Sequence, residues 1–460
     1  MSPVVSRRTF IYATAAAGGG LLVSFGRGGG AAIAQTAASM QPNGFVRVDR
    51  DGTVTIWSQN PDMGQGVKTA LAMILAEEMD ADWSRVRAVD AELDREKFGG
   101  QGSGGSDSIR AEWDLYRNAG ATIREMLAGA AAATWGVPRD QVTTARGRAS
   151  HASSNRGLDY GALVEAAAQR PAPATPAWKS PAAFTLLGTR VAGVDTDDIV
   201  HGRPLYGIDV RLPGMAFAAV ARCPVFNGRP LQVDDEAALK VSGVRQVVRL
   251  AGHGNPTFLM PGVAVVADST WAAFKGRDAL AVRWDEGAFA GESSATLSAQ
   301  FAELARGPGT TVRAVGDVDA ALAAAARVVE ADYEAPFLAH ATLEPTNCTA
   351  EVRDGHCYIT GPLQMQTSGA RVVAAAIDLP VERVHVQATR LGGGFGRRLM
   401  SDYAAEAAVI AKAAGVPVQM VGTREDAVPV IAPAVANAIA AATGERLRRT
   451  PFAGQGFTAG

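Results

Sequence analysis

The stretch "VHVQATRLGGGFGRRLMSDYAAEAAVIAKAAG" (Val384–Gly415) passes from an alternating apolar segment into three glycines, Phe395, Gly396 and two arginines, then into an alanine-rich amphipathic run. This order predicts strand, glycine loop and helix, a grammar that brings backbone N–H groups close to an anionic ligand at a helix start. A plain structural turn fits the loop equally well when it is taken alone. It does not complete a dinucleotide fingerprint, because Gly394-Phe395-Gly396 is followed by Arg397, Arg398 and Leu399. No third glycine is in place, no Gly-Lys-Ser/Thr follows, and a nicotinamide dehydrogenase is disfavoured.

The same grammar occurs twice more. "NGFVRVDRDGTVTIWSQN" alternates around Asp51-Gly52 as a β-hairpin and leads through "PDMGQG" into "VKTALAMILAEEM" (Val67–Met79), which has helical periodicity. A further strand, "SRVRAVDAEL", precedes "GGQGSGGSDS" (Gly99–Ser108) and a long alanine-rich helix from about Ile109 to Trp135. Three such loops, if they converge, suit one elongated polyanionic cofactor. Gly64, Gln65, Gly66, Ser106, Ser108, Gly393, Gly394, Phe395, Gly396 and Arg397 are the candidate binding residues.

With 460 residues, 47% apolar and 20% charged, the chain is long enough for two to four domains with substantial cores. A formal charge of −2 leaves no basic footprint for nucleic acid. Three scattered cysteines, Cys223, Cys348 and Cys357, suit buried thiols and cannot supply a four-thiolate cluster. Residues 169–180 are rich in Pro and Ala and read as linker. From about His201 to Gly287, short strands around one helix suggest a compact α+β domain; a helix near Ala295–Ala305 follows, then strands at "RVVEADYEAP", "NCTAEVRDGHCYITG" and "RVHVQATR".

Other side chains carry weaker signals. His340 lies four residues before Glu344, as metal ligands on a helix do, but Pro345 argues against a helix and favours a structural hydrogen-bonding role. In "GPLQMQT", Gln364 and Gln366 fall at alternate strand positions, which would aim both amides at one face. Arg397 and Arg398 are candidate phosphate clamps, with a solvated helix start as the alternative for at least one.

At the N-terminus, "SRRTFIYATAAAGGGLLVSFGRGGGAAIAQ" places Arg7 and Arg8 before a weakly apolar run ending in Ala32-Ile33-Ala34. That is the layout of a twin-arginine signal peptide over residues 1–34, which implies export to the periplasm after folding and suggests a cofactor inserted first. The run is too short and too broken by glycine and Arg27 for a membrane anchor, so no integral span is expected beyond the signal.

Together "PDMGQGVKTALAMILAEEMDADWSRVR", "GGSDSIRAEWDLYRNAGA", "GRPLYGIDVRLPGMAFAAV", "LEPTNCTAEV" and "TRLGGGFGRR" resemble the molybdenum-binding large subunit of the xanthine dehydrogenase and aldehyde oxidase family, nearest its isoquinoline 1-oxidoreductase β-subunit branch. The resemblance spans about residues 42–425 and implies an α+β fold. Its parts would be an N-terminal piece of the molybdenum domain (35–168) in permuted order, a linker (169–200), a hammerhead α/β domain (201–290), the first half of a molybdopterin-binding domain (291–425) and a C-terminal helical segment (426–460). It further implies a molybdenum cofactor, in bacteria usually molybdopterin cytosine dinucleotide. Gln364 matches the glutamine beside the metal, and Gly394, Phe395 and Gly396 match the loop lining it. The implied reaction is hydroxylation of an aldehyde or N-heteroaromatic carbon by water, with a glutamate as base. Electrons would leave to a small iron–sulfur subunit carrying the clusters, and a cytochrome acceptor is compatible with export.

The chain departs from the family pattern near its end. "VGTREDAVPVIAPAVANAIAAATGERLRR" passes straight from Thr423-Arg424-Glu425-Asp426 into what resembles the closing helix, where a second half of the domain is expected. Glu425 stands at the spacing of the catalytic glutamate before Pro429 and Ile431-Ala432-Pro433, and equally fits a different motif in which it would not be the base. Two readings stay open: a molybdenum hydroxylase subunit, or an inactive truncated remnant that at most binds a partner.

Overall fold

The structure is a computed structural model that describes residues 10–16, 20–26, 45–331, 333 and 339–423. Glu425 and the C-terminal segment lie outside the described residues. The chain divides into two compact units, one built from residues 1–216 with 342–420 and the other from 217–341 with 421–460.

In the first unit, β1 (Phe10–Ala16) and β2 (Gly20–Gly26) pair antiparallel within the segment expected to be a signal, and β2 pairs with β3 (Val46–Val48). The hairpin forms as its Asp-Gly turn predicts: β3 meets β4 (Val54–Ser58), with Gly52 at φ +85° and Thr53 N–H donating to Asp51 Oδ1. Helix α1 (Val67–Met79) then returns the chain to β5 (Val86–Asp90), which runs parallel to β4. A short turn, α2 (Arg95–Phe98), precedes α3 (Ser108–Trp135). Helix α1 has its expected bounds and α3 begins one residue before its own, while β5 is shorter than the expected stretch 84–93.

Helices α1 and α3 pack closely because Gly120 exposes bare backbone at their crossing. A Cβ there would lie 2.3 Å from the Leu75 carbonyl oxygen. Leu71, Leu75, Met79, Tyr116, Ile123 and Leu127 fill the core between these helices and the sheet. The buried charges answer one another: Arg117 and Arg124 hold Glu78, while Glu77 accepts from the backbone N–H groups of Thr185, Leu186 and Leu187 and pairs with Lys179. The Pro/Ala-rich stretch is therefore fastened along α1. A small antiparallel sheet, β6 (Thr143–Ala145), β7 (Arg148–His151) and β8 (Arg156–Asp159), leads into α4 (Tyr160–Ala168), and α5 (Thr196–Val200) follows.

The second unit contains β9 (Ala216–Arg222), β12 (Gly262–Ala267) and β11 (Val244–Leu250) in antiparallel order, with β10 (Arg229–Asp234) paired to β13 (Ala281–Asp285). Helices α6 (Glu236–Leu239) and α7 (Thr270–Ala279) accompany these sheets, and Ala219, Ala272 and Ala273 pack in one of the small cores. Beyond them α8 (Ser294–Arg306) and α9 (Val318–Ala324) bury no residue. The strand expected at "RVVEADYEAP" does not form among its described residues, 327–331 and 333. They are exposed, so the alternation there has neither a neighbouring strand nor a core to bind it.

The remainder of the first unit is the antiparallel hairpin of β14 (Asn347–Arg353) and β15 (His356–Gly361), followed by α10 (Gln366–Ile377), β16 (Val384–Ala388) parallel to β15, α11 (Asp402–Ala414) and β17 (Val418–Val421). The sheet order here is β17-β14-β15-β16. All three cysteines are free and buried, as their sparse spacing suggested. Burial pushes the Cys348 and Cys357 thiols up, the latter to about 12, so neither is a thiolate at neutral pH. Among the described residues no helix is long and apolar enough to cross a membrane.

Candidate functional site

The two parallel strand pairs of the first unit end in register, Ser58 beside Asp90 and Gly361 beside Ala388. Each therefore releases its loops at carboxyl-terminal ends, where open α/β sheets bind ligands. Leu93 N–H donates to Val386 O at 3.0 Å, which ties the exit of β5 to β16. The loops that follow, residues 59–66, 99–107, 362–365 and 389–401, meet one another.

Gln364 is their common point. It is 3% exposed; its Nε2 donates to Ser103 O (3.2 Å), and its Oε1 accepts from Arg398 N–H (3.2 Å). Ser103 N–H donates back to Gln364 O at 2.7 Å, and Ser103 Oγ donates to Pro61 O at 2.8 Å, which reaches the Met63-Gly64-Gln65-Gly66 loop. Gly394 closes the cluster: a Cβ there would stand 2.7 Å from both Gln364 Oε1 and Met63 Sδ, so only glycine fits. The convergence expected of the three glycine loops is present.

The glycines play two different parts. Gly394 and Gly392 are packed against the chain's own atoms, whereas Gly64, Gly66 and Gly105 have positive φ and nothing within 4 Å of a would-be Cβ. The second group flanks the starts of α1 and α3; at α1 the Asp62 carboxylate accepts from Gly64 N–H and Lys68 N–H, while the α3 start has no cap from the side chain of its N-cap residue, Asp107. Backbone N–H groups at two helix starts beside open glycines form a cradle suited to a polyanion. Ser106, at φ +55°, is exposed there, while Ser108 Oγ accepts from Asn60 Nδ2 at 3.2 Å. Gln65 is exposed but folds back on its own loop, accepting from Met63 N–H and donating to Pro61 O.

Phe395 stands at the rim. It has φ +50° and is 71% exposed, between Gly393 at φ +95° and Gly396 at φ +96°. A bulky residue held in left-handed backbone and turned to solvent is the kind of local strain that recurs at ligand sites.

Two expectations about side-chain direction are overturned. Gln364 and Gln366 do not alternate along a strand, because β15 ends at Gly361 and Gln366 opens α10. Gln366 instead turns its amide toward Ala91 O, 3.5 Å away, and its Oε1 has no partner among the described residues. Nor do Arg397 and Arg398 present a clamp. Arg397 makes a bidentate pair with Asp402 (2.8 and 2.9 Å) and Arg398 is 1% exposed, so both guanidinium groups are buried inside the protein, and of Arg398 only Nη1 has no partner among the described residues. The Arg398 side chain instead donates to a carbonyl of the loop and pairs with the carboxylate behind it.

That carboxylate is Glu344. No helix forms around it, and His340 and Glu344 belong to no metal-ligand group; among the described residues no cluster of three or more His, Cys, Asp or Glu could hold a metal ion. Glu344 Oε2 accepts from Gly392 N–H at 2.8 Å, and Oε1 accepts from Asn347 Nδ2 and Ile208 N–H.

Sequence reasoning also missed a buried charge cluster beneath the loops. Asp62 Oδ1 accepts from Gly64 N–H and pairs with Arg390; Arg390 pairs with Asp195, and Asp195 and Asp90 share Lys68. Burial works against the charge on Lys68, but Asp90 and Asp195 outweigh it and hold the ammonium pKa above its ordinary value. Burial raises Asp90, with Asp195 and Asp62 adding to the effect. The Asp-x-Gly turn at Asp62 was readable; the partnership with Arg390, 328 positions on, had no local signal.

The two segments that build this cluster both fall within regions matching the molybdopterin cofactor-binding domain, residues 13–199 and 304–434. The chain is 32% identical to the membrane-bound aldehyde dehydrogenase [pyrroloquinoline-quinone] of Gluconacetobacter polyoxogenes over 84% of its own length and 51% of that protein's. It is 30% identical to the isoquinoline 1-oxidoreductase β subunit of Brevundimonas diminuta, over 85% of this chain and 55% of that one. Among solved structures, the aldehyde oxidoreductase of Desulfovibrio gigas aligns with 57% of this chain and 33% of its own at 23% identity and a TM-score of 0.39. The chain belongs to the molybdopterin-binding subunits of the xanthine dehydrogenase and aldehyde oxidase family. It spans about half the length of these curated relatives.

Proposed function

We propose that this chain is the cofactor-holding part of an exported molybdenum hydroxylase that oxidises an aldehyde or N-heteroaromatic carbon with water. Electrons would pass to a separate iron–sulfur subunit, with a cytochrome as a further acceptor. The observation that carries the reading is the cradle: the α3 start, left open by its N-cap residue Asp107, and the N–H groups at the α1 start that Asp62 does not take, beside Gly64, Gly66 and Gly105, with Gln364 and the Gly393–Gly396 loop against it. These residues fit a polyanionic pterin cofactor, in its cytosine dinucleotide form by the bacterial family pattern, and the family membership points the same way. When bound, that group supplies the two-electron redox centre.

The protein's own contribution is positional. Backbone N–H groups of the open glycine loops meet the anion, with Ser106 and Ser108 beside them and Gln65 bracing its own turn. In place of Arg397, whose guanidinium is engaged by Asp402, the loop offers backbone at Gly393 and Gly396. Gln364 has its oxygen committed to Arg398 N–H and one N–H of its amide to Ser103 O, so the second N–H of Nε2 is the part left for a ligand. Phe395 forms an apolar edge for a flat substrate. Glu425, outside the described residues, is the proposed base. The hammerhead assignment for residues 201–290, the permuted order of 35–168 and the twin-arginine address belong to the same proposal.

Metal analysis and dye-coupled oxidation assays of the chain coexpressed with an iron–sulfur partner test it. Stoichiometric molybdenum with aldehyde or heterocycle oxidation supports the enzyme. A soluble, folded product without molybdenum favours the second reading, a remnant that at most binds a partner. Pyrroloquinoline quinone in the extract would instead align the chain with the cofactor in its first relative's name.

A further inference from the structure

We infer that Arg398 and Glu344 are a positioning pair that fixes both the Gly392–Gly394 turn and the direction of the Gln364 amide. The inference rests on the reading of Gln364 as a ligand-facing group, but its geometry stands without a ligand. The two side chains are 1% and 4% exposed. Arg398 Nε donates to Gly393 O at 2.8 Å, while Nη2 donates to Glu344 O at 2.8 Å and lies 3.3 Å from Glu344 Oε2. From the other side Glu344 holds Gly392 by both peptide groups: Oε2 accepts from its N–H, and Glu344 N–H donates to its carbonyl at 3.1 Å. A Cβ on Gly392 would meet Glu344 Cβ at 2.3 Å, so the approach is as close as a glycine allows.

One ion pair therefore grips consecutive peptides of the loop, and its backbone does the rest. Arg398 N–H donates to Gln364 Oε1, and Arg398 O accepts from Gln364 N–H at 3.0 Å. With its oxygen held there and Nε2 donating to Ser103 O, the amide cannot flip without breaking two buried bonds. Ser103 carries the restraint on to Pro61, and so to the Met63–Gly66 loop. A guanidinium suits this post because its planar fork reaches several acceptors at once, which a lysine ammonium on a flexible stem does not.

The test compares full-length wild type with Arg398→Lys and Glu344→Gln, using Glu78→Gln as a control that breaks a buried pair between α1 and α3. Amide hydrogen exchange is read on cofactor-free protein. The expected result is at least a tenfold faster exchange at Ser103 and across residues 392–398 in the two loop variants, with the α3 interior unchanged. Glu78→Gln should give the opposite pattern. Unchanged loop exchange, or a uniform rise across the first unit, would overturn the inference. If Arg398→Lys does not fold, Glu344→Gln decides the same question.

On molybdenum-loaded protein, Arg398→Lys is expected to lower kcat about tenfold with little change in KM. That loss should vanish in a Gln364→Ala background, because the two substitutions act through one group. Losses that simply multiply would overturn positioning through Gln364. Wild-type protein that takes up no molybdenum would sink the proposed function, while the exchange comparison would still decide the pair's role.

Discussion

At the scale of single residues, the loop separates groups that hold the fold from a group that faces outward. Phe395 is 71% exposed, so Phe395→Ala should shift stability by no more than about 0.5 kcal/mol in denaturant unfolding while raising KM for aromatic substrates. Gly394→Ala should instead lower stability, because its Cβ would press on Gln364 and Met63; a lower denaturant midpoint is the measurement. That the glycines, Ser106 and Phe395 lie in loops was legible because loop composition and turn chemistry are local. Arg397 and Arg398 were misread for the same reason, since two arginines after a glycine run look available until Asp402, Gly393 and Glu344 are seen to claim them. The alternation of Leu363-Gln364-Met365-Gln366 imitated a strand, but its outcome depends on Ser103, 261 positions away.

At the scale of elements, α1 and α3 were legible almost to the residue, since each carries long apolar periodicity and follows a glycine-rich stop. Their closeness was not. Gly120 reads as a mild helix weakness in sequence, yet it is where two backbones approach; Gly120→Ala should cost about 1–3 kcal/mol, read as a lower denaturant midpoint. Glu77 links α1 to the stretch that looked like linker. Burial, the largest single influence, pushes its carboxyl up, but Lys179 and the N–H groups of Leu186, Leu187 and Thr185 outweigh it and hold the pKa below its ordinary 4.5. A depressed carboxylate stabilises the fold above the unfolded-state value and loses that contribution as pH falls through the folded one. Unfolding midpoints measured from pH 6 downward should therefore drop below about pH 4.5, and Glu77→Gln should flatten that drop while lowering the plateau.

At the scale of the whole molecule, the first unit is assembled from two stretches separated by the 125 residues of 217–341. Residues 307–317 are exposed, and a protease that cuts there should leave fragments that co-elute in native gel filtration and part only in denaturant. The expected holding contacts are Leu93 to Val386, Gln101 to Thr367, Ser103 to Gln364 and Arg390 to Asp195. Separate elution in native buffer would contradict this division. The sequence showed the grammar of each stretch but not their interlocking, because a contact hundreds of positions long leaves no periodic trace.

The bond between Ser103 and Gln364 also sets a clock. A ribosome making this chain at about 5–20 residues per second reaches Gln364 more than ten seconds after Ser103, and until then the amino-terminal loops have no counterpart to close on. The helices α1 and α3, local and strongly apolar, can fold in that interval; the cradle cannot. Any group destined for it must therefore wait until Gln364 has been made, and a nascent chain arrested between the two positions should carry paired helices and an empty, unformed mouth.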